Sequence, residues 1–324
     1  MIGSGGSAGC EGPVTQIGAG CGSALAGLLK LDAAERRILM AAGLAAGVGA
    51  LFRAPLAGAI FAAEIFYSGL DIEYEIMMPS LVASTVAYTV FALFFGWQPL
   101  FIMPEYTFED PLKLLPYLLL ALVVALGAKF YILVFRQVES ASRAWQVPAW
   151  VKPGIGGLLT GLIGVFLPQV LGSGYGIIQQ ALAVNSPLAE RFGGLSLGLL
   201  LLIFFGKIFA TAFTVASGGS GGVFGPALVS GAALGAATGV ALTRLFPGLD
   251  LNPGAFALVG MAGFLAASVR VPIAAIIMVS EITGNHSLLL PSMWVCGVAY
   301  WLGNGWTIYR SQVRTRDCSP AHMR

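Results

Sequence analysis

Four stretches of this chain contain no Asp, Glu, Lys or Arg: residues 76–103, 153–189, 208–243 and 282–309. Each exceeds the roughly 20 apolar residues that a membrane-spanning helix needs. Shorter apolar candidates lie at 38–52, 114–128, 195–206 and 251–269. Only 10% of the residues are charged and 57% are hydrophobic, whereas a soluble surface needs roughly a quarter charged residues to stay wet. The net charge of +2 is too small for phosphate-backbone binding, so no nucleic acid is expected as a partner. The solvent for most of this surface is lipid. A β-barrel would show alternating segments of about ten residues, and none is present. The four cysteines and two histidines (Cys10, Cys21, Cys296, Cys318, His286 and His322) form no metal-ligand spacing. No metal and no cofactor is expected, nor enzyme activity.

Glycine accounts for 44 of the 324 residues, about twice the usual share of roughly 7%. Its clusters repeat. Residues 4–13 read SGGSAGCEGP and residues 217–226 read SGGSGGVFGP, identical at seven of ten positions. Gly18 and Gly22 match Gly231 and Gly235 at the same offset. A second pair follows: Gly43, Arg53, Pro55 and Glu64 match Gly260, Arg270, Pro272 and Glu281. An R-x-P followed by a Glu, recurring in register, argues for an internal duplication. In membrane proteins, repeats suggest a transporter whose substrate sits between them at broken helix ends.

The repeat predicts three segments: a partial first repeat over 1–145, a second repeat over 146–310 and a basic tail over 311–324. The second repeat has an LGSGYG loop at 171–176, whose first-repeat partner would fall before Met1. A truncated N-terminus is therefore the expectation, with an inactive fragment as one reading. The basic tail favours a cytoplasmic C-terminus.

Each glycine loop ends in G-P and enters an apolar helix, with Pro13 and Pro226 suited to its first turn. Unobstructed backbone N–H groups and the helix dipole are expected to make an anion site there, built without Lys or Arg. Glu11 is the exception: an intramembrane acid competes with an anion for those N–H groups and leaves when protonated. Its partner in the second loop is Phe224.

GCEGP at 9–13 resembles the G-[KR]-E-G-P motif of ClC-type chloride channels and chloride/proton antiporters. GVFGP at 222–226 resembles that family's G-x-F-x-P, and WTIYR at 306–310 looks like its pore-tyrosine segment. The three stand in the family's order, and the resemblance covers essentially the whole chain. It implies an all-α membrane protein, a polytopic helical bundle with two inverted repeats and broken helices meeting near the midplane. It also implies a homodimer with one pore per subunit, in a bacterial inner membrane, with chloride as the ligand. Glu11 would be the gate. Gly9, Gly12, Gly222, Val223, Phe224 and Gly225 would line the anion site with backbone N–H groups, and Tyr309 would add its hydroxyl.

The sequence departs from the family's pattern at four points. Cys10 replaces the basic residue beside the gate. The inner G-S-G-x-P loop is absent, and Ser173 is not assigned its role. Ile65 occupies the position of the antiporters' internal proton-transfer glutamate. No nucleotide-sensing domains follow Arg324. Because isoleucine carries no proton, the expectation leans to passive chloride conduction, with chloride/proton exchange as the alternative. An organic-substrate transporter would need more polar side chains around a larger cavity.

Other charges have plainer readings. Glu64 and Glu281 read as paired structural acids. Asp71, Glu73 and Glu75 read as a solvated connector, and Glu105, Glu109 and Asp110 as another. Residues 136–143 with Lys152 read as the surroundings of a loop between the halves.

Overall fold

The computed structural model describes residues 2–319, apart from 105, 107, 109 and 193. The described residues form thirteen α-helices and no sheet. In chain order these are α1 (Glu11–Leu28), α2 (Ala33–Phe52), α3 (Pro55–Glu64), α4 (Tyr74–Phe95), α5 (Leu114–Ala144), α6 (Val151–Phe166) and α7 (Tyr175–Leu182). There follow α8 (Ala189–Phe192), α9 (Leu197–Thr211), α10 (Phe224–Leu245), α11 (Pro253–Ser268), α12 (Pro272–Thr283) and α13 (Leu289–Leu302). The helices begin where the side chains say they should. Asp32 and Glu35 close a reciprocal box at the start of α2, with Glu35 N donating to Asp32 Oδ1 at 2.8 Å. Asn252 accepts from Gly254 N at 3.0 Å ahead of α11.

Among the described residues, four stretches of helix are long and apolar enough to cross a membrane: Tyr74–Phe95, Pro111–Ala144, Leu197–Ala216 and Phe224–Leu245. Two of the charge-free runs are not single spans. The run 153–189 is split between α6 and α7, and the run 208–243 breaks at the second glycine loop. Broken helices at membrane depth are tolerated where the freed backbone faces protein or a cavity. On α4, Met78, Val82, Leu93 and Phe94 are exposed, an apolar outer face suited to lipid. α10 and α11 form the centre, and every residue of α11 is buried.

The R-x-P pair marks the same break twice. Arg53 and Arg270 both adopt left-handed backbone, with φ of 55° and 69°, and Pro55 and Pro272 then start new helices. Such φ values disfavour residues with a Cβ, and side-chain bonds hold these two in place. Arg53 Nη1 donates to Gln98 O at 2.6 Å, and Arg270 Nε donates to Ser68 O at 3.1 Å.

The paired acids are structural caps, and the capping is crossed. Glu64 accepts from Ile273 N (3.1 Å) and Ala274 N (2.8 Å) at the start of α12. Glu281 accepts from Leu56 N (3.3 Å) and Ala57 N (2.8 Å) at the start of α3. Each carboxylate satisfies first-turn donors that the other repeat leaves orphaned. Such reciprocity is what a two-fold relation between the repeats demands.

Residues 136–143 end α5 and Lys152 lies in the first turn of α6, so they do surround the connection 145–150; Arg136 Nη2 donates to Thr307 O at 2.7 Å. One reading of the charged segments needs correction. The connector 71–75 is not simply solvated. Glu73 is buried, accepts the Tyr67 hydroxyl at 2.5 Å and pairs with Arg316 at 3.2 Å. Arg316 also reaches Glu75 at 2.9 Å, so the acidic connector clamps the basic tail. Glu105 and Glu109 lie outside the described residues, as does His322.

Close helix crossings explain the repeated glycines. α1 crosses α2 with Gly18 against Gly43, and α10 crosses α11 with Gly231 against Gly260. A Cβ added at Gly260 would lie 2.6 Å from Gly231 O and 2.8 Å from Gly235 Cα. Backbone cannot yield as a side-chain tip would, so Gly260→Ala should cost about 1–3 kcal/mol and lower the apparent melting temperature in detergent. Gly20→Ala, whose Cβ meets nothing within 4 Å, should leave it unchanged or slightly higher.

Candidate functional site

The two glycine loops meet face to face. Gly9 N donates to Gly222 O at 2.8 Å, and Gly222 N donates to Gly9 O at 2.8 Å, an isolated antiparallel bridge. The first loop is also pinned from outside by hydroxyls. Ser7 N donates to Thr214 Oγ1 (3.1 Å), and Ser7 Oγ lies 3.0 Å from Thr211 Oγ1. Thr160 Oγ1 lies 3.0 Å from Thr214 Oγ1. Thr214 sits in a π-helical turn, Ala212–Ala216, that continues α9 toward the second loop.

This pairing changes what the glycines can offer. The N–H groups of Gly9 and Gly222 are used on each other, so these two residues set register and do not present donors. The donors without acceptors inside their helices are those of the first turns. They include Glu11 and Gly12 on α1, and Phe224 and Gly225 on α10. Both loop prolines fall in those first turns. Val223 precedes α10, and its carbonyl oxygen accepts the Tyr131 hydroxyl at 3.0 Å.

Glu11 opens α1 and is 4% exposed. Its carboxylate folds back into the space between the loops. A Cβ added at Gly9 or Gly225 would overlap it, and one at Gly222 would lie 2.8 Å from Oε2. The glycines thus leave the room that the carboxylate fills. The backbone of Gly225 lies against it. The Tyr175 hydroxyl donates to Oε1 at 2.7 Å. Oε2 is buried and makes no hydrogen bond among the described residues.

Beside Glu11 lies a cavity of about 190 Å³ that also touches Gly12, Phe224, Ile65 and Tyr309. Phe224 packs edge-on to Phe61 at 5.4 Å and against Phe52 at 5.5 Å. The Tyr309 segment is tied down by Ile308 N donating to Ser268 O at 2.9 Å. Glu11, Gly12, Phe224 and Tyr309 therefore converge on one cavity, with Gly225 at the carboxylate. Gly9 and Gly222 form its scaffold.

Two residues that sequence reasoning left out belong here. Tyr175 lies in the LGSGYG loop, where only Ser173 was weighed. Lys207 is fully buried in α9, beneath the loop that leads into Tyr175. Its Nζ donates to Gly172 O (2.8 Å) and Val170 O (3.0 Å). The site is therefore not built without a cation. The signal was available: Lys207 is a lone charge between two apolar stretches, and such a charge is a functional pointer by default.

The model of the family described as voltage gated chloride channel matches residues 1–304. The chain belongs to this family. It is 33% identical over 303 residues to a ClcB-like protein of Ralstonia nicotianae, covering 92% of this chain and 68% of that one. It is 36% identical over 304 residues to the "H(+)/Cl(-) exchange transporter ClcA" of Citrobacter koseri, covering 91% of this chain. It spans 62% of the length of that ClcA. The crystal structure of a CLC-type fluoride/proton antiporter superposes with a TM-score of 0.80 at 26% identity, covering 96% of this chain and 73% of that chain. The helical fold with broken helices is thus a CLC transporter fold.

A methyl group at Gly9 meets the mobile end of a side chain, not backbone. Gly9→Ala should therefore fold with an unchanged melting temperature while expelling the Glu11 carboxylate. A determined structure of the variant would show the Tyr175–Glu11 hydrogen bond broken.

Proposed function

We propose that this chain moves chloride across a bacterial plasma membrane in exchange for protons, with Glu11 as its gate. The observation that carries the reading is the seated Glu11 carboxylate. It occupies a glycine-lined cradle at the N-termini of two helices, next to a cavity that ends at Tyr309. A carboxylate and a chloride carry the same charge and compete for the same donors. While Glu11 is seated, an anion cannot pass. Protonation removes the attraction and frees the side chain to leave, and the incoming anion then takes the place of the carboxylate. One group thereby responds to both ions, which is the minimum that exchange requires.

Phe224, Gly225 and Gly12 are the proposed backbone ligands, with Val223 preceding them and Tyr309 lining the same cavity. Gly9 and Gly222 hold the frame. Weak dipolar donors suit a site that must release its ion. The work is transport, with no bond made or broken in the cargo. A homodimer is the assembly proposed from the family.

Exchange replaces the passive conduction to which Ile65 pointed. The Citrobacter koseri relative is named an exchanger and the structural neighbour an antiporter, which favours coupling to protons. Ile65, at the cavity wall, remains the observation in favour of a channel, because its side chain offers no proton site.

The deciding experiment is chloride efflux from proteoliposomes with external pH recorded in the same vessel. The expected result is proton movement against its own gradient, driven by chloride. Glu11→Gln, which keeps shape and removes titration, should abolish the proton movement while anion flux continues. Chloride flux without proton movement in the unaltered protein would establish passive conduction. Absence of chloride flux from a folded, monodisperse sample would overturn chloride transport by this chain, and fluoride in the same assay would show whether the cargo differs.

A further inference from the structure

Building on Glu11 as the gate, we propose that Tyr175 is a latch that holds the gate carboxylate in its cradle, and that Lys207 is the residue that positions the latch. Tyr175 comes from the other repeat, 164 residues along the chain, and its hydroxyl donates to Glu11 Oε1 at 2.7 Å. It is the one side-chain hydrogen bond to this carboxylate among the described residues, since Oε2 has no partner. Hydrogen bonds to a charged, buried acceptor are the strong ones, so this donor governs how readily the carboxylate leaves.

The hydroxyl is aimed, not merely nearby. The Tyr175 ring stands edge-on to Phe101 at 6.0 Å and tilts against Phe52 at 6.5 Å. Phe52 in turn packs on Phe224. Tyr175 is the first residue of α7, and the loop before it passes through Gly172 and Gly174 at φ of 63° and 80°. That loop is short, polar-backboned and buried at its carbonyls, and Lys207 Nζ ties down Val170 O and Gly172 O. A Cβ at Gly174 would sit 3.3 Å from Nζ, so glycine there lets the ammonium lie close under the loop. A fully buried lysine is retained against a desolvation cost of several kcal/mol. Fixing the loop that carries the latch is work that a neutral side chain of the same length does not do.

The test uses the full chain in proteoliposomes, reading chloride turnover and proton movement together. Tyr175→Phe removes the donor and keeps the ring. It should raise turnover by about tenfold, the weight of one hydrogen bond to a charged group. On a Glu11→Ala background the same change should have no effect, because the acceptor it restrains is gone. Unchanged or slower turnover in Tyr175→Phe overturns the latch. An equal gain on the Glu11→Ala background also overturns it, because Tyr175 would then act on the passage. Failure of the gate assignment itself is separate: Glu11→Gln alone would then leave proton movement intact.

Lys207→Met should raise turnover in the otherwise unaltered protein and add nothing to Tyr175→Phe. An additive gain would mean that Lys207 acts on Glu11 through its charge, and positioning fails. If Lys207→Met gives no monodisperse protein, Lys207→Arg serves the same comparison. Its planar head disturbs the loop and keeps the charge, so the same non-additivity is expected and additivity again overturns positioning.

Discussion

Two hydrogen bonds between Gly9 and Gly222 hold the halves of this molecule together at the point where a negative charge is seated. Their geometry leaves no room for a side chain at Gly222, where a Cβ would lie 2.9 Å from Gly12 N and 3.0 Å from Gly9 O. It brings the first turns of α1 and α10 to the same small volume, and the orphan donors of both turns then point at one place. The cradle, the placement of Glu11 and the cavity toward Tyr309 follow from that pairing. So do the hydroxyl contacts of Ser7, Thr211 and Thr214, which keep the first loop from drifting off the second. A small irregular stretch of backbone is thereby held as firmly as a helix, which is what a weak and selective ion site needs.

The electrostatics around the seat are sparse. One buried acid, one buried base and the partial charges of two helix ends are the main actors. Lys207 on α9 spends its bonds on the loop carbonyls of Val170 and Gly172.

Much of this architecture was readable in the sequence, for reasons that differ by element. The matched loops and the R-x-P pair disclosed the duplication, since glycine and proline mark backbone events directly. Glu11 stood out because an acid among apolar residues has no bland explanation. The crossed caps of Glu64 and Glu281 were legible as structural acids, but their exchange between repeats was not, because partners more than 200 residues apart leave no local trace. The same limit hid Tyr175: its ring is unremarkable within LGSGYG until the fold brings α7 over α1. The acidic connector at 71–75 misled because charge density resembles solvation when the partner, Arg316, is far along the chain. The donors of Gly9 and Gly222 were assigned to an ion because a loop's own pairing cannot be read from its composition.

The crossed caps have a consequence for how such a chain is put together. Neither half can finish its own helices: α3 takes its acid from the second half, and α12 takes its acid from the first. The molecule is in this respect a dimer joined by a tether, each half the obligate chaperone of the other's exposed backbone. A contact about a two-fold axis is written once and used twice. A single half-length gene, its product pairing with an identical copy, would have possessed both caps from one glutamate codon before any fusion linked the two.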